Sequence, residues 1–356
     1  MISPLDPPRY AAVYAKVHTR FSQLLSPGTW EDLLSASDLP EFIRRLEGTP
    51  YRAVVDLESD EGVDLAHLER SLRGHSAQAV RSLLRFMPPG PRDLLAWRWR
   101  RFELDNLKTV LRAVKRQVDP ERARATLVPL GEASAIPWEV LLEARSVSAV
   151  VDRLTDTFYG RALEPALDRY HREDRLFVLE VRLDLVYFRR LLEKIEGLGG
   201  QDRKEAERFL GIMIDSQNVL WAFRYREYYG LSPEEILNYS LHRGVKVDVS
   251  TIRRVAQGAS LLAVMQDVWD GILSGLDRLE GLSDEEALVH AEGIFDRFMF
   301  KQARQVRTGY AMHLGIVLGY DVMLETEVGD LVTIAEGKAG GWSAQQIRPY
   351  LTVGSS

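Results

Sequence analysis

The 356-residue sequence contains no cysteine. Disulfides and thiolate metal sites are thereby excluded, and the chain suits a reducing compartment. A phosphate-binding loop is also missing: the glycine groups at residues 197–200 and 337–341 never reach the Gly-Lys-Ser/Thr ending that such a loop needs. Histidine is scarce and dispersed. His18, His67, His75, His171, His242, His290 and His313 include no pair four residues apart and no His-Glu-x-x-His, so metal chemistry has no starting point. Neither a cofactor nor a metal is expected. Basic charge is not in excess either; the formal net charge is -6, which argues against a nucleic-acid partner. The first ten residues, MISPLDPPRY, carry neither the basic start nor the apolar run of a secretory signal, and point to the cytoplasm. The richest apolar window, GYAMHLGIVLGYDVML from Gly309, is interrupted by His313 and Asp321 and falls short of the roughly 20 residues of a spanning helix.

What is present is a soluble composition, 46% hydrophobic and 28% charged, on a chain too long for one hydrophobic core. Two or three packed units are therefore expected. The chain repeats itself. WEDLLSASDLPEFIRRLEGTPYRAVV begins at Trp30, and WEVLLEARSVSAVVDRLTDTFYGRAL begins 108 positions later at Trp138. Trp30/Trp138, Leu33/Leu141, Leu34/Leu142, Arg45/Arg153, Leu46/Leu154 and Tyr51/Tyr159 coincide without a gap. A third copy of this stretch, over Ile252 to Leu273, keeps only the apolar spacing.

A second echo runs through RFELDNLKTVLR from Arg101, IDSQNVLWAFR from Ile214 and TEVGDLVTIAE from Thr326. Aligned on Asn106, Asn218 and Asp330, the intervals are 218 minus 106 and 330 minus 218, each 112 residues. Gly230-Leu-Ser-Pro-Glu-Glu-Ile236 and Gly341-Trp-Ser-Ala-Gln-Gln-Ile347 give two copies of one joint, in which glycine closes a helix and serine caps the next. Thr29 with Asp32, and Asp38 with Glu41, are positioned to cap two short helices. Apolar spacing is helical throughout, and strand alternation with hairpin turns is missing. Breaks fall at Met87–Pro91, at Glu196–Asp202 and around Gly131 and Gly244. The prediction is an all-α protein of three helical repeats, residues 1–126, 127–240 and 241–356, stacked as a short solenoid or packed about a pseudo-threefold axis with a central opening.

Within the echo an acid precedes an Asn or Asp by three residues: Glu103/Asn106, Asp215/Asn218 and Glu327/Asp330. That spacing puts both on one helical face. The next residues on the face are Leu107, Val110 and Leu111, then Val219, Ala222 and Phe223, then Leu331, Ile334 and Ala335. A polar pair bordering a buried stripe is expected to satisfy backbone groups or a neighbouring arginine; acid-base catalysis would need two of these acids to converge. Arg112 and Arg224 follow in the first two copies, and Glu336 replaces them in the third. The segment WRWRRFELDNLKTVLRAVKR from Trp97 mixes aromatics with Arg98, Arg100, Arg101, Arg112 and Arg116. It reads as a helix with solvated arginines and core aromatics, or as a surface for an acidic partner.

Taken in order, Tyr10-Ala-Ala-Val-Tyr14 with Arg20, the Trp-Glu-x-Leu-Leu-x-Ala line with Thr49-Pro-Tyr51, the acid-x-x-Asn helices and the closing Glu327, Ile334-Ala-Glu-Gly-Lys338 and Ile347-Arg-x-Tyr-Leu351 resemble the C subunit of the prokaryotic V-type (A/V-type) ATPase, whose vacuolar counterpart is the d subunit. The similarity runs from about Tyr10 to Leu351. It implies a funnel-shaped, three-lobed, non-catalytic helical protein, one copy per complex, on the cytoplasmic end of the membrane-embedded proteolipid rotor ring. Its cavity would receive the central stalk, and it would pass torque between ATP turnover and proton or sodium movement in either direction. Ring contact should be persistent and apolar, the stalk socket polar and reversible, with the arginine segment facing the stalk. Asp330 and Glu336 depart from the other copies, so the bonds at those positions must be rearranged in the third lobe. Other readings are a free-standing helical-repeat adaptor for a partner protein and an all-α enzyme whose site is assembled from distant residues.

Overall fold

The structure, a computed structural model, describes residues 7–55, 65–308 and 312–353. Residues 1–6 of the N-terminal stretch and the first three residues of the apolar window, 309–311, lie outside the described residues. Among the described residues every regular element is helical, and one β-bridge, Arg243 with Asp248, stands alone. The long helices are α1 (Pro7–Phe21), α2 (Leu65–Leu83), α3 (Arg101–Lys115), α4 (Phe177–Glu196), α5 (Ile212–Glu227), α6 (Asp284–Thr308) and α7 (Leu314–Ala339).

Their packing follows their apolar faces. On α1 the buried residues Tyr10, Val13, Val17 and Phe21 form one stripe at spacings of three and four. α7 is apolar nearly all round and lies deepest, against α1, α2 and α6. Three helix pairs recur along the chain: α3 with α4, α5 with α6, and α7 with α2, the last joining the C-terminal third to the N-terminal third. The stripes Leu107/Val110/Leu111, Val219/Ala222/Phe223 and Leu331/Ile334/Ala335 are all fully buried. No described helix is long and apolar enough to cross a membrane.

The duplicated Trp lines fold as pairs of short helices, Pro27–Leu34 with Leu39–Leu46 and Trp138–Leu142 with Val147–Asp152. A third such pair, Val249–Ala256 with Leu261–Trp269, lies where the sequence keeps only apolar spacing, and Ile252 there is fully buried. Asp38 caps its helix as expected, accepting from the Glu41 amide at 2.8 Å. The first cap is corrected: Ser26, not Thr29, accepts the capping amide, because Pro27 is preset for the first helical position and starts the helix earlier.

The repeated joint is also present. Gly230 and Gly341 take left-handed φ of 57° and 73°, and Ser232/Glu235 and Ser343/Gln346 form capping boxes. After α3 the same bend is made by Gln117 at φ 54°, with the Val118 amide reaching back to Ala113 as that of Trp342 reaches Gly337. A side chain in this region is strained where glycine is not. Gln117→Gly is expected to stabilise the chain by about 0.5–1 kcal/mol and Gly230→Ala to destabilise it similarly, read from urea unfolding midpoints. A Gln117→Gly midpoint at or below that of the parent would contradict the assignment of strain.

Candidate functional site

The three polar pairs do not meet; each closes a different joint. Asn106 donates to the Val128 carbonyl at 2.9 Å and accepts from the Val128 amide at 2.8 Å. Asn218 does the same with Leu241, both at 2.8 Å. An amide side chain has both roles, so one Asn satisfies both groups of one residue. A carboxylate only accepts, and Asp330 accordingly takes two amides, Thr352 at 3.0 Å and Val353 at 2.7 Å. The departure in the third copy is thus a change in what faces the side chain.

The preceding acids bind further away. Glu103 accepts from Ser134 at 2.7 Å and from the Tyr159 hydroxyl at 2.9 Å. Glu327 accepts from the Leu25 amide and the Tyr51 hydroxyl, both at 2.8 Å. Tyr51 and Tyr159 are the coincident tyrosines of the duplicated line, so two related acids hold two related tyrosines. Asp215 instead takes the amides of Val245 at 2.9 Å and Lys246 at 2.6 Å. The expectation of backbone partners holds, and tyrosine hydroxyls join them. Burial raises Asp215 and Asp330 to about 6 and Glu327 to about 7, with the donated hydrogen bonds pulling the other way. Raised folded-state values mean that the stability these groups confer is whole below an unfolded pKa of about 4 and declines as pH rises through about 6 to 7.

The arginine segment divides. Arg98 and Arg101, 5% and 7% exposed, turn inward to Asp321 on α7, itself 2% exposed. Arg101 grips Asp321 through two bonds of 2.9 and 3.2 Å. Arg98 lies 3.2 Å from the same carboxylate and bonds Glu325 at 2.5 Å. Burial opposes the Arg98 charge, but Glu325 and Asp321 outweigh it and hold the guanidinium protonated. Burial likewise opposes the Asp321 charge, and Arg101 and Arg98 keep that carboxyl below its ordinary value. Arg100 stays partly exposed over the Trp97 ring at 5.1 Å, Arg112 pairs with Glu180 on α4 at 2.6 Å, and Arg116 is exposed at the end of α3. The five arginines therefore do not make one surface. The aromatics are core: the indoles of Trp97 and Trp99 donate to the carbonyls of Tyr187 and Ala77.

Arg224 pairs with Glu292 on α6, repeating the Arg112–Glu180 bond with the same 68-residue separation. Glu336, at the aligned position of the third echo, is exposed. Asp321 reads in sequence as a mere interruption of an apolar window. A charge buried in a largely apolar stretch of helix requires a counter-charge, but the arginine that supplies it sits 220 residues away.

Arg98 and Arg101 line a central cavity of about 630 Å3 enclosed by α3, α4, α5, α6 and α7. Six carboxylates, among them Asp105, Asp184, Asp296 and Glu325, line it against three cations, Arg98, Arg101 and Lys108. Desolvation by the surrounding walls pushes Asp105 and Asp184 up, the latter despite a 2.5 Å bond from Lys108, and raises Asp296 to about 6, although Asp105 and Asp296 still reach solvent. The cavity is an acidic, polar concavity. Among the described residues no group of three or more metal-ligating side chains is assembled.

Asp330→Asn is expected to destabilise the chain by about 1–3 kcal/mol although Asn occupies the matching position twice, because its NH2 would oppose an amide donor. Asn218→Asp should cost a similar amount by facing the Leu241 carbonyl. Thermal unfolding of both checks this; neutral substitutions would mean that side-chain polarity at this position is not matched to its partners. Asp321→Ala, which strands two buried guanidiniums, is expected to lose about 3–5 kcal/mol, whereas replacing Arg98, Arg101 and Asp321 together by apolar residues should recover most of it. An Asp321→Ala loss under about 1 kcal/mol would show the cluster to be hydrated.

The comparisons with known proteins cover this whole architecture. The chain matches the ATP synthase (C/AC39) subunit family over residues 13–350. It is 30% identical over 359 residues to the C subunit of the A-type ATP synthase of Halobacterium salinarum, covering 99% of this chain and 100% of the relative. It is 26% identical over 364 residues to the protein of that name from Methanocaldococcus jannaschii, covering 99% and 88%, and 28% identical over 352 residues to that from Haloferax volcanii, covering 96% and 97%. With nearly all of the residues that build the joints, core and cavity inside the matched span, the chain belongs to the ATP synthase (C/AC39) subunit family.

Proposed function

We propose that the protein is a non-catalytic rotor component, the C subunit of an A/V-type ATP synthase, that seats on the cytoplasmic face of the proteolipid ring and receives the central stalk at the mouth of its central cavity. Three related units, residues 1–126, 127–240 and 241–356, close around a pseudo-threefold axis into a funnel, and one copy serves each complex. The observation that carries this reading is the acidic cavity ringed by α3, α4, α5, α6 and α7, helices drawn from every third of the chain. A stalk end presenting cations would meet an acidic wall there in which Asp105 and Asp296 reach solvent, a polar contact that can be made and broken. Arg98 and Arg101 contribute to that wall by fixing Asp321 and Glu325 rather than as free charges.

The reading of three units is supported by the cyclic order of bonds. Glu103 reaches forward to Tyr159, Glu327 reaches round to Tyr51, and the helix pairs α3/α4, α5/α6 and α7/α2 follow the same circuit. Such closure makes the part stiff about its axis, which torque transmission between ATP turnover and movement of protons or sodium ions requires.

The absence of cysteine makes a direct test clean, since one introduced thiol is the only one in the chain. Gln217→Cys, in the cavity wall, carried on tagged protein in membranes of the host, is expected to cross-link to a central-stalk protein, and the gently solubilised complex to contain the small hydrophobic proteolipid. Recovery of the protein alone from the soluble fraction, with no cross-link, would overturn the reading and favour a free-standing helical adaptor.

A further inference from the structure

A second cavity, of about 660 Å3, opens between α6 and the single helical turn Leu276–Leu279. Its wall carries Arg278, Arg297, Lys301 and Arg304 and no carboxylate. Arg297, Lys301 and Arg304 stand at i, i+4 and i+7 on α6, so one helical face supplies three of the cations. Among the described residues none of the four is held in an ion pair. Other arginines that reach this third of the chain differ: Arg224, Arg226 and Arg254 meet its acids Glu292, Asp284 and Asp267. Arg278, Lys301 and Arg304 reach solvent and Arg297 is half-buried, so the recess gathers four like charges that an entering anion would neutralise.

The electrostatics of Arg297 register that crowding. Burial, followed by the charge of Arg278, lowers it from its ordinary value. The adjacent carboxylate, Asp296, offsets little of this because it lines the central cavity on the other side of α6. Phe298 and the buried Phe300 supply apolar wall beside the cations. Guanidinium forks match phosphate oxygens two bonds at a time. The volume is that of a small-molecule site, about 300–1,000 Å3, and a bare phosphate would leave most of it empty.

We propose that this cavity binds a phosphate-bearing organic anion, with the phosphate on Arg278, Arg297, Lys301 and Arg304 and the apolar portion against Phe298 and Phe300. A free organic phosphate and the headgroup of an acidic phospholipid present the same chemistry. This site is independent of the rotor reading, since it lies in a separate cavity.

The test uses the full chain in two arms. Calorimetric titration with pyrophosphate and with soluble dihexanoyl phosphatidic acid reads the free anion; flotation with phosphatidylcholine vesicles, with and without phosphatidylglycerol, reads the headgroup. Binding in at least one arm is expected, and the pair R297Q/K301Q should weaken it at least about tenfold. The pair R44Q/R172Q, exposed cations elsewhere with the same charge change, should leave it within about twofold, and melting curves of both pairs establish that they fold. Binding confined to the vesicle arm identifies a headgroup, and binding confined to the soluble arm a free phosphate. No binding in either arm, or equal losses in the two variant pairs, overturns the proposal.

Discussion

A carboxylate at the centre of an apolar helix has to be met by opposite charge, and Asp321 is met by Arg98 and Arg101 from the far end of the chain. Much of the architecture follows from that demand. The same helix, α7, sets Glu327 and Asp330 facing inward as well, and each draws in another distant or terminal segment: Tyr51 and Leu25 to Glu327, Thr352 and Val353 to Asp330. An apolar helix would pack equally well in several rotations about its axis. Three buried carboxylates with separate partners leave one.

The demand also explains why the third copy of the repeated helix looks least like the others. Where Arg112 and Arg224 reach an acid on the next helix, Glu336 is solvated. Between the short paired helices, Arg45 bonds Asp32 thirteen residues before it, whereas Arg254 and Asp267 make a pair with the same separation and the signs reversed. Where Glu103 and Glu327 hold tyrosines, Asp215 holds backbone amides of a glycine turn; a Cβ at Gly244 would lie 1.8 Å from its carboxylate oxygen. Asp215 is itself buried, and without those amides it would be left without a partner.

This sets what can be read from the chain in advance. Helix, joint and stripe depend on residues within a few positions of one another, so Asp38, Ser232, Ser343 and the stripe from Leu107 to Leu111 are legible directly. The polar pairs are legible as core-edge groups needing partners, because their spacing places them. Their partners are not, since Tyr51 lies 276 residues from Glu327. The arginine segment misleads for the same reason. Arg98 and Arg101 resemble Arg100 and Arg116 in sequence, and only the position of Asp321 in space separates a buried clamp from a solvated cation.

The two cavities give that distinction a larger scale. α6 carries Asp296 toward the acidic central cavity and, one residue on, Arg297 toward the cationic one. Adjacent helical residues diverge by about 100° around the axis, which is enough to deliver opposite charges to opposite walls. That helix, with Thr352 at the edge of both, thus borders two recesses of opposite sign at the cost of a raised carboxyl on one side and a depressed guanidinium on the other. Pairing Asp296 with Arg297 would relieve both, and no such ion pair forms among the described residues. The geometry of the helix thus holds the two charges apart where a turn of the side chains toward each other would neutralise them.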